Sequence, residues 1–231
     1  MRCIALLVLC GCGRIAFDPL LDTGDGGDAG SADGGTPTLL IHFTFDTMLL
    51  REEYGHDATC TACPLPVVGK TGFAAAFDGT NCLMVPNTAS LTPSTFTFAL
   101  WAQATGQQYG TAFGRPYNGA TTVENTFELF VDTFDIWSLG INTSYVGRSE
   151  AQNQWHHVAV TSNGTGYVSY IDGAEIGFND TVGAARYSGD DILIGCDLNA
   201  GVIAQYFIGI IDDIRIYDGV LQAGQIAALA M

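Results

Sequence analysis

The stretch that most constrains this chain is Asn153–Gly173, NQWHHVAVTSNGTGYVSYIDG. Trp155–Thr161 and Gly166–Ile171 each alternate bulky and smaller residues, the pattern of a strand whose successive side chains point to opposite faces. The polar, glycine-bearing Ser162-Asn163-Gly164-Thr165 between them reads as a hairpin turn, and Asp172-Gly173 is a second turn that launches Ala174–Phe178. Short alternating runs with turns every eight to twelve residues or so predict an antiparallel sandwich or barrel, not a βαβ protein.

Composition supports that prediction. Of 231 residues, 29 are glycine and only 14% are charged, which suits strands and tight corners better than helices. Acidic residues outnumber basic ones 24 to 8, giving a net charge of −16. A single lysine and no basic run exclude nucleic acid as a partner, since phosphate neutralisation needs clustered Lys and Arg. Charge-driven attachment to anionic lipid is excluded on the same ground, whereas an acidic surface suits cations such as calcium.

Residues 1–11 begin with Arg2 and an apolar run, Ile4–Leu9, and Leu9-Cys10-Gly11-Cys12 resembles the lipid-acceptor box of a bacterial lipoprotein signal. On this reading Cys12 carries lipid; a buried strand is the alternative. No other apolar run approaches the ~20 residues of a membrane helix, so the membrane is met only through the lipid. The expected location is the bacterial cell envelope, at the outer membrane or cell surface. Residues 12–38 form an acidic, Gly-rich linker, of which Leu21–Thr38 cannot bury enough surface to fold. Its aspartates at 22, 25 and 28 step by three, whereas an EF-hand loop steps by two and ends in Glu.

The domain is expected over 39–231. Its strands are Leu39–Asp46, Cys82–Val85, Phe96–Ala102, Phe127–Val131, Asp135–Ile141, the central hairpin, Ala174–Phe178, Asp191–Gly195 and Gly209–Asp218, with a terminal helix over Leu221–Ala230. Thr47–Pro66 reads as irregular and Gln103–Thr122 as a long Gly-bearing segment.

Four separated motifs resemble laminin-G-like, concanavalin-A-like jelly rolls: the opening strand ending Phe45-Asp46, Gly72-x-Ala74-x-x-Phe77-Asp78-Gly79, the central Trp155-to-Gly173 hairpin, and the closing GIIDDIRIYD of Gly209–Asp218. The resemblance spans about Leu39 to Ala230 and implies an all-β, two-sheet antiparallel jelly-roll sandwich. Gly55-His56-Asp57 matches the tail of the family's acidic loop, but Arg51-Glu52-Glu53-Tyr54 stands where its head should be. Function does not follow from the fold, which hosts lectins, adhesion modules and enzymes.

Cys60, Cys63, Cys82 and Cys196 remain after the signal region, an even number that favours two disulfides in one of three connectivities. For metal, the resemblance implies calcium held by aspartates in the matching motifs, Asp46, Asp78 and Asp213; Asp212 and Asp213 face opposite ways on a strand, so at most one of the two serves. For ligand contact, Tyr109, Phe113 and Tyr117 can stack on sugar rings and Arg115 can bond hydroxyls. His156 and His157 point to opposite faces of a strand, poorly placed to chelate one ion, and His157 takes a packing role. A carboxylate pair for glycoside hydrolysis would have to be Glu124 and Glu128, with Thr126 between them where the glucanases have Asp; both are expected on the surface.

These observations predict a non-catalytic, surface-displayed binding module that recognises a glycan or an envelope or extracellular protein. A structural or adhesive envelope protein and a glycoside hydrolase of the same fold are the alternatives.

Overall fold

Alternation becomes strand along almost the whole domain. Residues 36–47, 50–106, 109–119, 121–122 and 124–231 are described by a computed structural model. The expected signal peptide, the lipid acceptor Cys12 and all but the end of the linker lie outside these residues. Gly35–Met231 forms one compact unit.

Sixteen strands and one α-helix follow in order: β1 Thr38–Phe43, β2 Leu65–Val68, β3 Phe73–Asp78, β4 Leu83–Val85, β5 Phe96–Ala104, β6 Gly110–Tyr117, β7 Glu124–Val131, β8 Ile136–Ile141, β9 Ser144–Ser149, β10 His156–Ser162, β11 Tyr167–Ile171, β12 Ala174–Asn179, β13 Ile192–Ile194, β14 Asp197–Asn199, β15 Val202–Ala204, β16 Ile208–Asp218 and α1 Ala223–Leu229. One sheet has the order β12-β11-β10-β5-β16-β3-β2, with β1 also paired to the long β16, and the other has the order β4-β13-β6-β7-β8-β9. Strands β14 and β15 form a separate hairpin. All the strand pairs are antiparallel, and the architecture is the expected jelly-roll sandwich.

The core lies between the two sheets. Phe96, Phe98 and Leu100 point inward from β5, meeting Phe113 of β6 and Phe127 and Leu129 of β7. Ring centroids of Phe98, Phe113 and Phe127 are 5.3–5.5 Å apart, within the range of favourable aromatic contact. Each such ring, fully withdrawn from water, contributes on the order of 2 kcal/mol.

The Gly-bearing segment Gln103–Thr122 is largely strand. It continues β5 to Ala104 and then forms β6, an interior strand between β13 and β7. The irregular stretch before β2 is held by Glu52, which is buried and accepts the backbone N–H groups of His42, Tyr54 and His56. A single carboxylate there organises the loop that departs from the family's acidic pattern. The cysteines pair as Cys60–Cys63 and Cys82–Cys196, and the second bond ties the edge strand region at β4 to the start of the β14–β15 hairpin.

Candidate functional site

On β7, Phe127 and Leu129 face the core, so Glu128 faces outward from the six-stranded sheet. It lies in a row with Gly114 of β6, Gly140 of β8 and Tyr145 of β9. The flanking glycines leave no side chain beside the carboxylate. Two bulges then re-aim its neighbours. In β6 the extra residue is Ala112, which leaves Thr111 facing outward opposite Phe130. In β7 the extra residue is Thr126, which turns Asn125 away from the face of Phe127 and onto that of Glu128. The Thr111 hydroxyl donates to Glu128 Oε1 at 2.7 Å, while the Asn125 amide and the Tyr145 hydroxyl donate to Oε2 at 2.9 and 2.8 Å.

The second acid comes from the β14–β15 hairpin. Asp197 follows Cys196 directly, so the disulfide to Cys82 anchors it. Its Oδ2 accepts from the same Asn125 nitrogen at 3.3 Å, and its Oδ1 accepts its neighbour's Leu198 N–H at 2.7 Å. One amide group therefore bridges the two carboxylates. Glu128 is 4% exposed and Asp197 1%. Burial, and then the nearby Asp197 charge, push Glu128 up to about 7. Burial also raises Asp197, and burial with the Glu128 charge raises Tyr145. Among the described residues no Lys, Arg or His pairs with either acid.

Above this floor opens a cleft of about 360 Å³. Tyr109, Phe130 and Tyr145 form an aromatic wall, with centroids 5.5 Å apart for the first pair and 5.1 Å for the second. Asn199 and Gln205 add amides on the hairpin side. A smaller hollow of about 130 Å³, by Tyr167, Phe178 and Val220, gathers no buried acid.

The residues expected from sequence are placed differently. Tyr109 is half exposed on the wall of the cleft. Phe113 is 1% exposed in the core and Arg115 is fully buried, so neither can meet a ligand. The Arg115 guanidinium donates to Leu91 O, Asn87 Oδ1 and Asp190 O, and lies over the Tyr187 ring, a structural clamp. Tyr117 stacks under Arg186 away from the cleft lining. The cause in all three cases is that this Gly-bearing segment forms an interior strand.

The three aspartates expected to share calcium are each used separately. Asp46 accepts the Phe73 N–H at 2.7 Å, Asp78 accepts the Thr80 N–H and hydroxyl in a turn, and Asp213 pairs with His42 and Arg215. Burial works to raise Asp213, but the His42 and Arg215 interactions outweigh it and hold its carboxyl below the usual range. Asp212, set apart from Asp213 by an irregularity in β16, accepts the Thr71 N–H and is pushed up to about 6 by burial. Among the described residues, the group that brings three donor atoms within 4.8 Å is Glu150, His156 and Asp172, with Glu150 also paired to Arg148.

The histidines do face opposite ways: His156 packs edge-on to Trp137, and His157 to Trp101. Burial pushes His157 down to about 4, in keeping with packing. Glu124 and Glu128 do not form a pair. Glu124 is a half-exposed partner of Arg186, while Glu128, expected at the surface, is buried beside Asp197. Reading by regular spacing missed this, because one bulge residue resets which side chains share a face.

The family profile described as the concanavalin A-like lectin/glucanases superfamily matches residues 77–227. No curated protein matches the sequence. Among solved structures, domain 4 of AbnA, a GH43 extracellular arabinanase from Geobacillus stearothermophilus, in complex with arabinotriose, is similar with a TM-score of 0.66 at 20% identity, covering 84% of this chain and 99% of that one. Botulinum neurotoxin type C, whose cell entry depends on two ganglioside molecules, gives 0.62 at 14% identity, covering 84% of this chain and 50% of the toxin chain. The binding domain of botulinum neurotoxin DC in complex with rat synaptotagmin II gives 0.62 at 13%, covering 84% and 51%. At these identities the likeness is one of fold.

Proposed function

Because the chain belongs to the concanavalin A-like lectin/glucanases superfamily, we propose that it is a non-catalytic glycan-binding module, displayed on a bacterial envelope through lipid on Cys12, with the cleft over β7 as its binding site. The observation that carries this reading is the cleft itself. It joins an aromatic wall, on which the apolar face of a sugar ring can stack, to convergent amides and carboxylates that suit hydroxyls. Binding is favoured over cleavage because both oxygens of Glu128 already accept bonds and Asp197 is turned toward Asn125 and Leu198. Hydrolysis by a carboxylate pair needs one acid free to give a proton and the other free to attack or to activate water.

The arabinotriose bound by the similar arabinanase domain suggests the first probe. Titration of the purified protein with arabinotriose, followed by a glycan array, should reveal a ligand. Tyr109→Ala should weaken binding about tenfold or more while leaving the melting midpoint unchanged, since the ring is half exposed. An array without a single binder, or binding that both Tyr109→Ala and Phe130→Ala leave intact, rejects the reading. Oligosaccharide products accumulating on incubation reject its non-catalytic part.

One observation favours a second reading. Edge strand β2 exposes Leu65 and Val68, with Phe73 beside them, which suits attachment of an envelope protein to this edge. Crosslinking on intact cells, repeated with Val68→Lys, distinguishes adhesion at this edge from sugar recognition in the cleft.

A further inference from the structure

We infer that Glu150, His156 and Asp172 form a zinc site that staples the two sheets together at one end of the sandwich. Glu150 directly follows β9 of the six-stranded sheet, His156 opens β10 of the eight-stranded sheet, and Asp172 directly follows β11 beside it. None of the three lines the cleft, so the inference stands or falls independently of the glycan reading.

The imidazole carries the argument. His156 is 6% exposed, and both of its ring nitrogens face acceptors. Nε2 lies 3.3 Å from Ala151 O, and a carbonyl oxygen can only accept, so this network assigns the hydrogen of the neutral ring to Nε2. The bare Nδ1 lone pair is then 2.8 Å from Asp172 Oδ2 and 3.9 Å from Glu150 Oε2. Three lone pairs brought together in this way repel unless a cation lies among them. A proton on Nδ1 would answer Asp172 alone, because 3.9 Å to Glu150 is beyond hydrogen-bond range. A metal ion answers all three.

The other half of each side chain is already held. His156 Nε2 donates to Ala151 O, Arg148 Nε donates to Glu150 Oε1, and the His157 N–H donates to Asp172 Oδ1 at 2.9 Å. Outer partners of this kind fix the tautomer and the aim of metal ligands. What they leave over is Nδ1, Oε2 and Oδ2, in a group whose ligand atoms lie within 4.8 Å of one another. Zinc bonds of about 2.0–2.2 Å in a tetrahedral site put neighbouring donors about 3.3 Å apart, between the 2.8 and 3.9 Å found here. An imidazole with two carboxylates suits zinc, while calcium and magnesium take oxygen ligands. Three protein ligands leave the fourth place to water, and the Asp172 side chain, 45% exposed, opens the group to ions from solvent.

The test is zinc titration of the purified, tag-free protein, stripped of metal beforehand and followed by calorimetry and by the melting midpoint. Zinc should bind saturably and raise the midpoint, since the site exists only in the folded state, and excess calcium should not displace it. His156→Gln and Glu150→Gln should each weaken zinc binding about tenfold or more. Asp172→Asn should do the same while keeping the acceptor for the His157 N–H and a residue type that tolerates the positive φ of this turn, so the test stays decisive if another variant folds poorly. Nitrogen NMR of the His156 ring separates a metal from a proton: zinc should shift Nδ1 while Nε2 keeps its hydrogen. No saturable binding, or binding that all three variants leave intact, overturns the inference. So does a ring that carries hydrogen on both nitrogens at saturating zinc, which would make the group an ion pair of His156 with Asp172 and nothing more.

Discussion

The two sheets are finished differently on the faces turned away from the core. On the eight-stranded sheet, Ala99 of β5 and Ala159 of β10 pair directly, and Tyr170, Leu221 and Ile226 close over them beneath α1. On the six-stranded sheet, the small residues beside the central side chain are glycines, Gly114 and Gly140, and what they flank is a carboxylate. Both faces bury their central side chains, one beneath matched apolar surfaces and the other as two acids at the floor of a cleft. The first arrangement adds stability. The second takes stability away unless a ligand, a proton or a cation returns it, which is how a binding site differs from a core.

The sharpest way to break this comparison is to fill the glycine row. A Cβ on Gly140 would sit 1.8 Å from Ser144 O and 2.8 Å from its carbonyl carbon, both backbone atoms of the adjoining strand. No rotamer relieves such a contact, so β8 and β9 would have to separate. Gly140→Ala is expected to cost on the order of 4 kcal/mol or more, read as a fall in the denaturant midpoint. A loss under 1 kcal/mol or so would mean that the hairpin is looser than its register implies.

Next in size is the apolar face. Ile226→Ala removes a fully buried side chain from between α1 and the sheet and should cost about 3 kcal/mol, within the usual span for such truncations. Glycan affinity should not move, because α1 lies on the opposite sheet from the cleft. A coupled loss of ligand affinity would show that the two faces are not independent.

The pH dependence of stability separates the faces by sign, measured in chelator so that no cation intervenes. Glu128 sits at about 7 when folded against an ordinary 4.5, so its contribution is complete below 4.5 and is lost as pH rises through 7. His157, beside Trp101 on the other outer face, sits at about 4 against 6.5. Its contribution is complete above 6.5 and is lost as pH falls toward 4, because the unfolded chain takes up the proton first. Each shift is worth roughly 3 kcal/mol, so the two slopes oppose each other across their shared window. Asp212, raised to about 6, adds to the Glu128 side. Difference curves isolate each group: wild type minus Glu128→Gln should fall between pH 4.5 and 7, and wild type minus His157→Gln should rise between pH 4 and 6.5. Two difference curves of the same sign would contradict the assignment.

How much of this was legible in the sequence follows from which forces act locally. The β10–β11 hairpin shows in Ser162–Thr165 because turn chemistry is local, and Phe96, Phe98 and Leu100 show because alternation tracks burial. Even the opposite aim of His156 and His157 follows from strand geometry. Of the site, Tyr109 was legible and the buried acids were not. Ala112 and Thr126 are bulge residues, and a bulge changes which side chains share a face without leaving any mark in composition. Asp197 reaches Asn125 from a distant hairpin, and only the tertiary path of β13 and the Cys82 bond brings it there. Gly110 and Gly114 belong to a stretch to which the sequence reading assigned no strand, yet both lie within β6, where the absence of a side chain at Gly114 clears the floor beside Glu128.

Gly114 also supplies the gentlest and most selective test. Its added Cβ would meet Thr111 Cγ2 at 3.3 Å, a tight contact with a side chain, and would lie at ordinary contact distance from the backbone Phe127 O, 3.4 Å, and from Glu128 Cγ, 3.5 Å. The strand need not part, so Gly114→Ala should cost only about 1 kcal/mol. What must yield is Thr111, whose hydroxyl holds Glu128 Oε1 at 2.7 Å, and a shift of a few tenths of an ångström there loosens one of the three donors that fix the carboxylate. The same methyl also narrows the floor on which a ligand would rest. A variant nearly as stable as wild type but several-fold weaker for arabinotriose would tie the glycine row to binding. If affinity holds while only stability moves, the row serves packing alone, and the difference between the two outer faces is one of composition and not of role.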